Sequence, residues 1–154
     1  MSNQTIENML IEWQCQKLVT RSINLLDQGC WQELANCYAE DGELYRPSAP
    51  TVKIEGRDAI LESFSSRPAK ETCHALTNIE ANIIDEGLVV VTSRVVLFAA
   101  NKKAEGIESM VQANVDIFIG RFVDEIKNVN GEWLIAKRQG SIELHYKGTS
   151  DKTG

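Results

Sequence analysis

The chain has 154 residues, 43% hydrophobic and 25% charged, which is enough to bury the core of one domain. Its net charge of −6, with mixed signs and no long basic block, argues against nucleic acid and anionic membrane as partners. No apolar run reaches the roughly 18 residues of a transmembrane helix. The polar stretch MSNQTIENMLIEW lacks a signal-peptide pattern, so the expected compartment is the cytoplasm.

Ile11, Cys15, Leu18, Ser22 and Leu25 recur at helical spacing, which predicts a first helix closed by Gly29. Trp31, Leu34, Ala35 and Tyr38 predict a short second helix that stops at an Asp41-Gly42 turn. Pro47 and Pro50 exclude a central strand nearby, so only short strands are expected at 44–46 and 52–54. Gly56 opens a third helix carrying Ile60, Leu61 and Phe64, which ends before Pro68.

From Thr72 onward the character changes. Segments 73–84, 88–99, 110–126 and 133–145 are rich in valine, isoleucine and aromatic residues. Turn residues separate them: Asp85-Glu86-Gly87, a charged run with Lys102, Lys103, Glu105 and Glu108, and Asn128-Val129-Asn130-Gly131. The first and last are hairpin signals, and the middle run reads as a solvated loop. Helices followed by an antiparallel meander make an α+β layout. Residues 1–147 are read as one domain, with 148–154 as a disordered tail.

A strongly curved sheet with helices on one face makes a cone with a mouth, a shape suited to small apolar ligands. Along 110–126, Val111, Ala113, Val115, Ile117 and Ile119 form one face. Gln112, Asn114, Asp116, Phe118, Gly120 and Phe122 form the other, as a pocket wall or a subunit interface would. Gly120 in mid-strand predicts a bend or bulge. Cys15, Cys30, Cys37 and Cys73 form no CxxC and read as free thiols. Two scattered histidines, His74 and His145, complete no metal pattern. No P-loop or GxGxxG calls for a nucleotide, so no cofactor is expected.

Four stretches carry a resemblance: LLDQGCWQELANCYAEDGELYRP, IEGRDAILESF, TCHALTNI and GRFVDEIKNVNGEWLIAKRQ. In this order they resemble the NTF2-like superfamily in its SnoaL-like branch, alongside scytalone dehydratase and ketosteroid isomerase relatives. The resemblance implies a cone of three N-terminal helices packed on a strongly curved antiparallel sheet. It also implies a homodimer through the outer sheet face.

In the dehydratase branch an aspartate near the end of the first helix pairs with a histidine opening the third strand. Asp27 and His74 match that pair, and Tyr45 matches a tyrosine that polarises the substrate oxygen. Other positions depart from the branch. Leu26 stands for a tyrosine, Leu97 falls near a second histidine, and Gly120 and Phe122 fall near a serine and an asparagine. The expected chemistry is cofactor-independent proton transfer, of the dehydratase or isomerase type, on a cyclic polyketide-, steroid- or aromatic-like compound. His74 is the expected acid and base, Asp27 its orienter and Tyr45 the polariser. Trp31, Arg94, Asn114, Asp116, Phe118 and Phe122 are the expected substrate contacts. A competing reading is a non-catalytic binding or structural subunit, as in the ring-hydroxylating dioxygenase small subunits.

Overall fold

The computed structural model describes residues 1–101, 106 and 110–149. Helix α1 spans Asn3–Gln28. Ser2 caps it by accepting the Thr5 amide at 3.1 Å. Its C-terminus closes on Gly29, whose φ of 70° is left-handed and lets its N–H return to the carbonyls of Leu25 and Leu26. The predicted stripe is the packed one: Cys15, Ser22 and Leu25 are buried, and Ile11 and Leu18 pack against the core.

Helix α2 is shorter than its periodicity predicts and covers Trp31–Asn36. Tyr38 does not extend it. Strand β1 begins there and runs through Tyr38–Arg46. The reason is tertiary: the Ile135 amide bonds to the Cys37 carbonyl at 2.8 Å, which draws the chain onto the sheet where a helical turn would have continued. The expected Asp41-Gly42 turn is instead an irregularity within β1, where the register against the last strand shifts between Tyr38 and Glu43.

Strand β2, Ala49–Glu55, pairs antiparallel with β1. It is an edge strand, where Pro50 is tolerated. Helix α3 covers Arg57–Ser65 and opens at Gly56. Then come β3 (Glu71–Asp85), β4 (Leu88–Ala100), β5 (Asp116–Val129) and β6 (Glu132–Lys147). The order across the sheet is β2-β1-β6-β5-β4-β3. The β3–β6 meander is antiparallel as expected, and Asn130-Gly131 makes its last hairpin with φ of 53° and 89°.

Three expectations need correction. The sheet is mixed, because β1 runs parallel to β6. The helices are not all N-terminal to it, because β1 and β2 precede α3. Strand β5 starts at Asp116 and not at 110; the Asn114 amide instead bonds to the Ala99 carbonyl at 2.7 Å. The loop residues Lys102, Lys103, Glu105 and Glu108 and the tail from 150 lie outside the described residues.

Bulges bend the long strands. One falls between Ile119 and Gly120, as the mid-strand glycine predicts. A Cβ at Gly120 would lie 2.3 Å from the Ser141 carbonyl oxygen, so only glycine allows β5 and β6 to approach this closely. The main core sits between the helices and the concave sheet face, around Cys15, Val19, Leu34, Tyr38, Ile60, Val91, Ile126 and Ile135. A smaller cluster of Ile23, Val95 and Phe122 lies nearer the mouth. All four cysteines are free: Cys15 and Cys37 are buried, Cys30 is half-buried and Cys73 exposed. Among the described residues, no helix is long and apolar enough to cross a membrane.

Candidate active site

The last turn of α1 lies beside the start of β3. Asp27 Oδ1 sits 2.6 Å from His74 Nδ1. Its Oδ2 accepts the His74 backbone amide at 2.8 Å, and its Oδ1 also accepts the Thr72 hydroxyl at 2.8 Å. Three donors thus hold one carboxylate. An aspartate near a helix C-terminus faces the unfavourable end of the macrodipole, and these bonds offset that. Burial works to raise the Asp27 pKa. The hydrogen bonds from His74, its charge and the Thr72 bond outweigh it and hold the carboxyl below its ordinary value.

The arrangement sets the imidazole's roles. With Nδ1 engaged by Asp27, Nε2 is the nitrogen left for chemistry. Nε2 has no hydrogen-bond partner among the described residues, and His74 lines a cavity of about 790 Å³. The walls of that cavity are largely apolar: Leu26, Trp31, Leu34, Leu44, Phe64, Val95, Leu97, Phe118, Phe122 and Ile142. Trp31 stacks on Phe64 with ring centroids 6.0 Å apart, which fixes one wall.

Arg138 also lines the cavity and carries a buried ion pair. Its Nε donates to Asp124 Oδ1 at 2.6 Å, and its Nη2 donates to Asp124 Oδ2 at 3.2 Å and to Ser22 Oγ at 2.9 Å. Ser22 in turn donates to the Val19 carbonyl, which ties β5 and β6 to α1. Burial alone would lower the Arg138 pKa, but the charge of Asp124 holds it above the ordinary arginine value. The Arg138 guanidinium lies 4.9 Å from the centre of the Phe122 ring. The sequence carries little trace of this network. Its only signal is an acid and a base on adjacent strands, with nothing to place them opposite each other.

A family model described as a SnoaL-like domain matches residues 7–139. The chain belongs to this SnoaL-like family. No curated protein matches it. Its fold is similar to a candidate scytalone dehydratase from Novosphingobium aromaticivorans, with a TM-score of 0.75 and 20% identity over 95% of this chain and 93% of that one. It is also similar to a type 2 hexachlorocyclohexane dehydrochlorinase (LinA), with a TM-score of 0.77 and 15% identity over 96% and 94%. A third similar structure is ActVI-ORFA from Streptomyces coelicolor, with a TM-score of 0.65 and 15% identity over 84% and 95%. At these identities the likeness establishes the fold.

Within this SnoaL-like cone the predicted residues separate into two groups. Asp27, His74, Trp31, Phe118 and Phe122 all line the cavity. So do Leu26, Leu97 and Gly120, which make these parts of the wall apolar or bare backbone.

Tyr45, Arg94, Asn114 and Asp116 do not line the cavity. On β1 the inward side chains are Leu44 and Arg46, so Tyr45 points outward. Its hydroxyl bonds to Glu43 at 3.3 Å, and Lys137 lies over its ring. A shift of one residue along a strand exchanges the faces, so the inward group here is Arg46. Arg94 lies on the outer face and pairs with Glu143, which Arg121 also approaches at 3.3 Å. Asn114 is exposed beside Asn101. Asp116 is exposed and pairs at 2.9 Å with His145, whose ring stacks on Phe118.

Proposed function

We propose that this protein is a cofactor-independent proton-transfer enzyme of the dehydratase or isomerase type, acting on a cyclic small molecule in the cone. His74 Nε2 removes a proton next to a carbonyl and returns it to the leaving oxygen or to a neighbouring carbon. Asp27 fixes the ring orientation and stabilises the imidazolium that forms. The observation that carries this reading is the 2.6 Å Asp27–His74 contact on the wall of an open, apolar-lined cavity. That cavity weighs against a purely structural subunit, whose cone has no need of an open ligand space; a non-catalytic ligand-binding protein is separated from an enzyme by the exchange test below. Tyr45 is left out of the mechanism because it faces away.

The test is exchange chemistry. A panel of cyclic ketones and β-hydroxyketones is incubated in D₂O and followed by NMR for deuterium uptake beside the carbonyl or for loss of water. At least one compound is expected to react, and His74→Gln is expected to slow it by about 10²-fold or more. A reaction that survives His74→Gln unchanged, or a panel with no reaction at all, refutes the reading.

The homodimer is proposed on the outer sheet face. Phe98, Leu144 and Tyr146 are exposed there, and the strand pairing sets Ile117 beside Tyr146 and Ile119 beside Leu144. Sedimentation velocity is expected to give a dimer for the wild type and a monomer for Leu144→Glu. A monomeric wild type refutes it.

A further inference from the structure

The cavity's carboxylates are Asp27 and Glu71, and its cations are Arg46, Arg67, Lys70 and Arg138. Asp27 is committed to His74 and Thr72, and Asp124 neutralises Arg138. Arg46 is different. It is 8% exposed, and no carboxylate pairs with it among the described residues. Its acceptors are neutral: the Ser63 carbonyl, and the Ser63 hydroxyl at 2.8 Å. Its guanidinium lies 4.5 Å from the centre of the Phe64 ring. Burial and then the charge of Arg67 bring its pKa down to about 10, which leaves it protonated at neutral pH.

A buried guanidinium without a counter-ion is costly, and a second cation beside it adds to the cost. Arg67 is that second cation. No carboxylate pairs with it among the described residues either. Arg46 and Arg67 together line both the main cavity and a side pocket of about 220 Å³ that Ser63 also lines. Their charge is local, since the chain as a whole carries −6. Arg46 is the buried cation here and Arg67 is solvated at its side, so the desolvated charge of Arg46 is balanced when the ligand supplies the negative group.

We propose that the ligand of this cavity is a ring compound bearing a carboxylate, held by Arg46 and Arg67 with its ring against the apolar wall. A planar carboxylate matches the guanidinium fork, and one buried guanidinium calls for one negative charge. His74 lines the same cavity, so Arg46 and His74 border one ligand space. As a statement about the substrate, the inference rests on the proton-transfer reading. As a statement about binding, it does not.

Calorimetry on the full chain, with 2-naphthoate and its neutral analogue 2-naphthamide, tests it. At low salt the carboxylate is expected to bind about tenfold more tightly or better, the worth of one charge-assisted contact. Arg46→Gln is expected to abolish the preference, and Arg67→Gln to reduce it. Arg67 is exposed, so the second variant keeps the test usable if the first does not fold. Added NaCl is expected to narrow the gap. Equal binding of the two probes, binding of neither at millimolar concentration, or a preference that survives either arginine variant unchanged overturns the proposal. A carboxylate preference without any deuterium exchange would refute only the proton-transfer reading.

Discussion

The Asp124–Arg138 pair allows the firmest quantitative prediction. Asp124 is fully buried and the Arg138 side chain is 3% exposed, so neither charge is solvated. Asp124→Asn keeps the side chain's size and one acceptor oxygen but removes the counter-charge. It leaves a buried guanidinium with Ser22 as its remaining hydroxyl partner. Breaking such a pair from one side costs about 3–5 kcal/mol. For a chain of this length each kcal/mol moves Tm by about 2–4 °C, so a fall of roughly 6–20 °C is expected. Urea unfolding, followed by tryptophan fluorescence and circular dichroism together, measures the loss, with an unchanged m value as the check on a two-state transition. Replacing both partners, as Asp124→Leu with Arg138→Met, removes the stranded charge, and this double variant is expected to be more stable than Asp124→Asn alone. A loss below about 1 kcal/mol, the range of solvated surface pairs, would refute the claim that the pair is desolvated.

Acid unfolding probes Asp27. Its folded pKa lies below the unfolded value of about 3.9, so its contribution is complete above that pH and is lost as pH falls through the folded pKa. The stability gap between wild type and Asp27→Asn is therefore expected to shrink as pH falls from about 5 to below about 4; a gap that widens over that range contradicts this. Thiol labelling separates the cysteines. Burial pushes the Cys15 pKa up to about 12, while Cys73 is exposed. A disulfide reagent is expected to modify Cys73 in the native protein and Cys15 only on unfolding, as peptide mapping would show. Gly120→Ala places a methyl group 2.3 Å from the Ser141 oxygen and is expected to cost about 1–3 kcal/mol in urea unfolding.

The elements with strong periodicity were legible in the sequence. The stripe of α1, Gly29 at its end, Gly56 opening α3 and the Asn130-Gly131 hairpin are local signals, and each has its expected form. The site's His74–Asp27 pair was legible only through family resemblance, because its members lie 47 positions apart and spacing alone cannot join them. What failed depended on tertiary pairing. Tyr38 continues a helical spacing, yet the edge of β6 takes it into the sheet. Asn114 and Asp116 alternate correctly with Phe118 and Phe122, yet β5 starts too late for Asn114 and places Asp116 at its exposed first position.

Tyr45 and Arg46 show how much chemistry one step of register decides. In the stretch Leu44-Tyr45-Arg46-Pro47 either parity puts a polar group inward, so composition does not choose between them. The choice comes from Leu44, which is buried in the core; alternation then carries Arg46 inward and Tyr45 out to Glu43 and Lys137. The inward group is therefore a permanent cation and not a neutral hydroxyl. A hydroxyl can polarise a carbonyl and leave the ligand's charge open. A guanidinium without a protein counter-ion favours an anion over its neutral analogue before any chemistry begins. The rest of the wall acts in the same direction. Leu26, Leu97, Gly120 and Phe122 line the cavity and offer a ligand no side-chain hydrogen bond, so less of the recognition can come from neutral polar contacts and more of it falls to Arg46 and Arg67.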